Sequence, residues 1–402
     1  MNKSKCFLVF KILITCFLLG VTCGVIGALF SKGVSLATNL RQSHRFLLYL
    51  LPLAGVITVA LYKLLKVDNV GTNQVIKSTE GITELSPKLA PAVFIASCLS
   101  HLCGASVGRE GASLQLGGST AVLFAKGLKF NKKEESLLIY CGMAGVFASV
   151  FGTPLTAAIF ALEIVFVGHI WYKAIIPALI TALTSFFTAS LLGAHSERFN
   201  LNVVPNFNFN VTWKFLVLTL LAILAAVGFC FALHYSERFF AKVLKNQYLR
   251  IITGSAIIIL LTFLFKTTDY NGAGMHVIEN IFELGTFAPW AFLIKILFTC
   301  VAVAVGFKGG EIVPTLFIGA TLGALLGSLL GLPIAFAGAV AMIVLFASVT
   351  NCPIASVLLS LELFGGAGII YFVIAVALSY FLSGKISLYS AQKIGGIKNK
   401  LW

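Results

Sequence analysis

Apolar segments recur along the chain almost to its C-terminus, with approximate centres at residues 18, 56, 96, 118, 144, 158, 183, 224, 258, 296, 322, 341, 357 and 374. Each is read as a helix. Several are shorter than the roughly 20 residues that cross a bilayer, and they are broken by Gly or Pro. Short, interrupted helices at membrane depth are tolerated only where they line a buried or water-filled cavity, and that pattern points to a transport path. The first run, from Cys6 to about Phe30 behind Lys3 and Lys5, is interrupted by Lys11 and by glycines. It exceeds the roughly 7–15 apolar residues of a secretory signal, so a retained first span with a cytoplasmic N-terminus is expected. The most polar interior stretches are 72–88, 126–135, 195–212 and 267–280.

Composition narrows the class. Charged residues make up 11% of the 402, where a soluble domain carries roughly 25%. A chain this long could bury a large core, but it lacks the charge to coat one. An ordinary soluble enzyme, a disordered protein and a disulfide scaffold are excluded. An all-α polytopic membrane protein with the lipid bilayer as its partner remains. The net charge of +15 reflects only 14 acids, and the bases cluster between apolar runs, as in Lys126, Lys129, Lys132 and Lys133. That distribution belongs to loops flanking membrane spans; without aromatic-basic interleaving, no nucleic-acid partner is expected. The nine Cys form no CxxC pair and the six His no HExxH, so no metal, disulfide framework or cofactor is expected. Asp68 and Asp269 stand isolated and no nucleophile-base spacing appears, so no catalytic residue is assigned and the chain is not read as an enzyme.

An internal repeat organises the rest. Residues 147–163, FASVFGTPLTAAIFALE, return as FASVTNCPIASVLLSLE at 346–362, a constant separation of 199. A second pair sits at 201, with Glu110 in GREGASLQLGG and Glu311 in GGEIVPTLFIG. The chain is therefore divided into a first membrane half, 1–195, an inter-repeat linker, 196–212, and a second half, 213–402, with no cytoplasmic regulatory domain. The residues alone leave open whether the halves are parallel or inverted. Transporters built this way bind substrate between the repeats.

Four acids lie in apolar surroundings: Glu110, Glu163, Glu311 and Glu362. A charge at membrane depth costs about 2.5–3.5 kcal/mol or more, so each needs a partner, a proton or a cavity. Glu163 and Glu362, at matched helix ends, are read as structural caps or pairs. Glu110 is different, because it lies between Gly108-Arg109 and Gly111 at the start of an apolar helix. Glycines there expose backbone N–H groups, and the helix N-terminus adds partial positive charge. An anion is the natural occupant; an ionised carboxylate can fill the site and vacate it on protonation. Arg109 and Glu110, as neighbours, are expected to point apart. In the second half Gly309-Gly310 leads into a helix with Pro314 in its first turn, leaving the N–H groups of Ile312 and Val313 free. Two helix N-termini make an anion site from partial charges, which permits release.

These motifs resemble the CLC chloride channels and proton-coupled anion antiporters. GREGASLQLGG is similar to the family's GREGP segment, with Ala112 at the proline; GFKGGEIVPTLFIGATLG is similar to its GxFxP segment, with Ile312 at the phenylalanine. The resemblance covers roughly residues 10–392. It implies an inverted repeat of tilted, broken transmembrane helices, and a homodimer with one anion path per subunit. It implies that Glu110 is the proton-carrying gate, that the backbone at Gly108, Arg109 and Gly111 lines an external anion position and that at Ile312 and Val313 a central one. Tyr389, in ISLYSAQ, would close the inner side. The family's GSGIP element is matched by Gly71-Thr72-Asn73-Gln74-Val75, placing Thr72 at the serine. Ile164 stands where an internal proton-transfer glutamate would follow Glu163. The altered serine motif, GFKGGE and the short chain resemble the bacterial fluoride-exporting branch, whereas Val313 and Ala112 depart from it. The expectation is a fluoride/proton antiporter in a bacterial inner membrane, with a chloride/proton antiporter or a passive chloride-conducting channel as alternatives.

Overall fold

All fourteen apolar centres fall inside α-helices of the computed structural model, which describes residues 3–67, 71–194 and 196–401. The helices of the first half are α1 (Lys3–Ser43), α2 (Leu51–Leu64), α3 (Thr72–Thr79), α4 (Leu89–Cys103), α5 (Glu110–Gly127), α6 (Lys132–Phe151), α7 (Pro154–Glu163) and α8 (Tyr172–Leu191). Those of the second are α9 (Phe209–Val243), α10 (Gln247–Phe265), α11 (Met275–Leu284), α12 (Ala291–Val305), α13 (Ile312–Leu330), α14 (Ile334–Thr350), α15 (Pro353–Phe364) and α16 (Ile369–Leu382), followed by α17 (Gly396–Leu401). Helix by helix, α1 to α8 correspond to α9 to α16. Asp68 and His195 lie outside the described residues.

Local chemistry sets the boundaries. Asn131 and Glu134 form a reciprocal capping box at the start of α6, and Pro154 and Pro353 open α7 and α15, where a missing N–H costs nothing. The helices α3 and α11 were not expected: both fall in stretches read as polar, and both are short and amphipathic. The described residues between α8 and α9 are packed. The Phe199 N–H donates to the Leu363 carbonyl (2.9 Å) and its ring stacks on Phe282 at 4.6 Å.

Among the described residues, seven helices are long and apolar enough to cross a membrane. They differ in burial: 83% of the apolar window of α6 and of α13 is covered by protein, against 28% for α10. Helices α5, α6, α13 and α14 thus form the interior, and α1, α9 and α10 present Leu29, Phe231 and Leu260 outward. Small residues let the inner helices touch. A Cβ on Gly117 would lie 1.9 Å from the Gly142 carbonyl oxygen, and one on Gly319 2.6 Å from the Met342 Cα. Without a hydrophobic driving force between helices in lipid, close backbone packing of this kind supplies the association energy.

Two contacts show how the halves meet. Glu163, closing α7, accepts the Ile354 and Ala355 N–H groups (3.2 and 2.8 Å) at the start of α15. Glu362, near the end of α15, accepts those of Leu155 and Thr156 (2.9 and 2.8 Å) at the start of α7. Each helix end caps the other's beginning, so α7 and α15 run antiparallel and the repeat is inverted. A two-residue parallel pairing of Phe166–Val167 (β1) with Lys393–Ile394 (β2) then ties the C-terminal tail to the segment after α7.

Candidate functional site

The starts of α5 and α13 meet at the centre of the molecule. Gly108 and Gly310 form an antiparallel bridge, exchanging N–H···O bonds of 2.6 and 2.7 Å. Neither glycine can be replaced freely. A Cβ on Gly310 would lie 2.3 Å from the Gly111 nitrogen, and one on Gly108 would lie 2.9 Å from Glu110 Oε2 and 3.0 Å from Val313 Cβ. This bridge fixes the register of the two halves. It pairs Gly108 with Gly310, Arg109 with Glu311 as the two N-caps, Glu110 with Ile312, and Gly117 with Gly319, a separation of 202. The matching of Glu110 with Glu311 is therefore corrected by one residue. The offset returns to 199 by Glu163 and Glu362, because α14 has 17 residues where α6 has 20.

The first backbone donor bonded inside α5 is Ser113, to the Arg109 carbonyl (3.0 Å), and in α13 it is Thr315, to that of Glu311 (3.0 Å). The N–H groups of Gly111 and Ala112, and of Ile312 and Val313, consequently have no acceptor in their own helices. The two halves thus turn partial positive charge toward one region. Gly108 takes a different part from the one expected, since its N–H already serves the Gly310 carbonyl. The Arg109 N–H is also engaged, donating to Glu110 Oε2 at 3.0 Å.

Glu110 is fully buried. Its carboxylate folds back over the start of its own helix and lies 3.4 Å, through Oε1, from Arg109 Nε. The expectation that these neighbouring side chains diverge is corrected; backward folding of Glu110 onto the Arg109 N–H brings them together. Arg109 makes its shorter ion pair, 2.7 Å, with Glu197 of the inter-repeat segment, a residue sequence reading did not single out. Glu311 differs again. Its Oε2 is buried without a hydrogen-bond partner and lies 3.3 Å from where a Gly111 Cβ would stand.

The remaining expected residues arrive from elsewhere. Thr72 opens α3, and its hydroxyl contacts the Gly111 carbonyl at 3.4 Å and receives the Gln115 amide at 3.3 Å. Asn73, its neighbour, accepts the Ala391 N–H (3.0 Å), which draws the Tyr389 loop against α3. Tyr389 is buried, its hydroxyl unpartnered, and it is near enough to Glu110 and Glu311 to feel both charges. Gln115 Oε1 is another buried, unpartnered atom. The structure therefore gathers Thr72, Gly108, Arg109, Glu110, Gly111, Ile312, Val313 and Tyr389 from four separate segments. Gln115 joins them, and its amide within an apolar helix was the available signal.

Comparison with known proteins was made on this framework. Residues 54–384 match the family model described as voltage gated chloride channel. The chloride/fluoride channel protein of Pseudomonas syringae pv. tomato is 32% identical over 394 residues, covering 95% of this chain and 86% of that protein. The crystal structure of a CLC-type fluoride/proton antiporter superposes with a TM-score of 0.92 at 29% identity, covering 98% of this chain and 100% of the other. A slow cyanobacterial chloride/proton antiporter shares the fold, with a TM-score of 0.80 at 19% identity over 93% and 94% of the two chains.

Proposed function

We propose, from the premise that this chain belongs to the voltage-gated chloride channel family, that it exchanges fluoride for protons and so exports fluoride. The protein is a multi-pass membrane protein and a CLC-type anion transporter. Members of this family are transporters or channels.

The observation that carries the proposal is the placement of Glu110. Its carboxylate occupies the N-terminus of its own helix, taking an N–H bond that an anion would otherwise take. When ionised it is the anion's competitor; when protonated it loses its hold on that positive end and can leave. An arriving anion and a departing proton are thereby alternatives at one place, which is the logic of exchange. Gly111, Ile312 and Val313 offer the backbone donors, Gly108 and Arg109 frame them, and Thr72 and Tyr389 supply hydroxyls. Fluoride is small and strongly hydrated and needs good donors in place of water, and the unpartnered Tyr389 hydroxyl is one. A relative named for both chloride and fluoride and a fluoride/proton antiporter with nearly the same fold support this choice of ion.

One observation favours the second reading, a chloride/proton antiporter or a passive chloride-conducting channel. Val313, beside Glu110, is apolar where the fluoride-exporting branch that the motifs resemble often has a hydroxyl. Vesicles reconstituted with the protein and loaded with fluoride or chloride decide between them. Fast fluoride efflux with stoichiometric proton uptake supports the proposal; equal rates, or a chloride preference, reject it.

We further read the chain as two membrane halves, 1–195 and 213–402, joined by 196–212, in a bacterial inner membrane with a cytoplasmic N-terminus. Basic side chains support that orientation. Lys11 reaches the Leu128 carbonyl, Lys132 pairs with Glu84 and Lys393 with Glu80, so the start of α1, the 126–133 loop, the 80–84 stretch and the tail share one face. The homodimer is likewise a proposal, tested by the mass of the purified particle.

A further inference from the structure

Beyond the helix starts, the opposite face carries buried cations that the exchange reaction leaves unexplained. A cavity of about 270 Å³ reaches inward to Arg109 and Val313 and is lined by Arg41 and His101. Arg41, near the end of α1, is 8% exposed; its Nε has no partner and its best contact is a long 3.5 Å bond to the Asn271 carbonyl. His101, in α4, is fully buried; Nδ1 bonds the Ser97 carbonyl at 2.9 Å and Nε2 has no partner. Behind them Lys295 of α12 is fully buried, held by the Tyr270 and Gly272 carbonyls (3.1 and 2.7 Å) and the face of Phe317. Among the described residues, neither Arg41 nor Lys295 has a carboxylate within ion-pair distance. The acids that line the same cavity do not reach them: Glu197 is committed to Arg109, and Glu279 is exposed at the rim. His276, the other titratable group there, is paired with Asp269 at 3.1 Å.

Buried charge without a counter-charge costs several kcal/mol per ion. A mobile anion in the cavity removes that cost. We propose that Arg41 and His101 form a vestibular site for one small monovalent inorganic anion, a halide, between the helix starts and the face opposite the N-terminus. The inference rests on the reading of the protein as an anion transporter. Lys295, held by two carbonyls, lies behind Arg41 and His101 without contact. His101 adds a condition. Its Nδ1 proton is used on Ser97, so Nε2 can donate to the anion only after taking a proton. The site therefore fills more readily at low pH, and Arg41, Arg109 and Lys295 are the basic groups nearest His101. Full charges at the vestibule and partial charges at the helix starts divide the labour: the first raise the anion concentration at that face, which can speed association from it by about 10-fold or more, and the second let the anion go.

Bromide is the probe. In crystals of the full-length protein soaked in sodium bromide, an anomalous peak beside Arg41 is expected at pH 5, weaker at pH 8, and absent in Arg41→Gln. In vesicles, Arg41→Gln should raise the apparent KM for the anion about fivefold, with the saturated rate moving far less, and Arg41→Lys should recover most of it. His101→Gln should leave bromide occupancy insensitive to pH, and it serves if Arg41→Gln fails to fold. A peak that persists in Arg41→Gln, or equal wild-type occupancy at the two pH values, overturns the proposal. Absent fluoride/proton exchange with the peak retained would instead count against the proposed exchange and leave the site standing.

Discussion

The two helix starts share a backbone and differ in charge. At α5 the N-cap is a cation, Arg109, followed by the acid Glu110; at α13 the N-cap is the acid Glu311, followed by the apolar Ile312. The glycines that bridge them are equivalent, and so are the following hydroxyls, Ser113 and Thr315, each turned back onto a backbone carbonyl of its first turn. Duplication therefore supplied the frame, a pair of helix N-termini facing one region, and the two starts then diverged, one with its acid at the N-cap and the other with its acid one residue on, folded back over its own helix start. The α7/α15 pair teaches the opposite lesson. There both halves retain the acid, each with two backbone bonds, because each acid caps a different helix start.

The largest expected effect breaks the asymmetry. Glu110→Gln removes the titratable group, and coupled proton movement should fall to background in vesicles while anion flux can continue; persisting stoichiometric proton flux would sink the assignment. Next, the bridge itself is symmetric in its bonds but not in its space. Gly310→Ala drives a Cβ into the Gly111 nitrogen and should cost about 3 kcal/mol. Gly108→Ala meets the movable Glu110 carboxylate first, although Val313 Cβ is as near, and should cost about 1 kcal/mol. Thermal midpoints in detergent read the difference, and equal losses would show that the two glycines carry the same load.

The caps should behave alike. Glu163→Ala and Glu362→Ala should each destabilise by about 1–2 kcal/mol, and the double variant by close to the sum, since they act at opposite ends of the pair. Unequal losses would mean that the inverted contact is less symmetric than its geometry. The smallest effect concerns the tail, which only the second half possesses. Lys398 bonds Asn351 and Ser383, and burial pushes its ammonium down to about 8. The undocked tail then binds more protons than the docked one between about pH 8 and the ordinary lysine value of about 10.4. Docking should strengthen as pH rises through that window, read as slower tail proteolysis, and Lys398→Met should flatten the profile.

Helices with strong apolar periods were legible in the sequence, as was the motif set that converges on Glu110. What was not legible has physical reasons. The polar faces of α3 and α11 hid them inside stretches read as loops, although they are repeat counterparts and α3 brings Thr72 to the site. The one-residue error in matching Glu110 to Glu311 arose because the acids were aligned, whereas the backbone aligns glycine with glycine. Glu197, Arg41 and His101 carry no motif and gain meaning only when the chain closes around the cavity. Lys295 gave a signal, a lone cation in AFLIKILFTCVAVAV, whose partners are backbone carbonyls that no sequence pattern announces.

The crossed caps carry one more consequence. A contact in which each member gives what it receives is self-complementary, as at the interface of a symmetric dimer. A single half, holding one such helix with its terminal acid, already contains both sides of the joint and would cap its own copy as well as its fused partner. The joint formed by α7 and α15 therefore has the form of a contact between two identical chains.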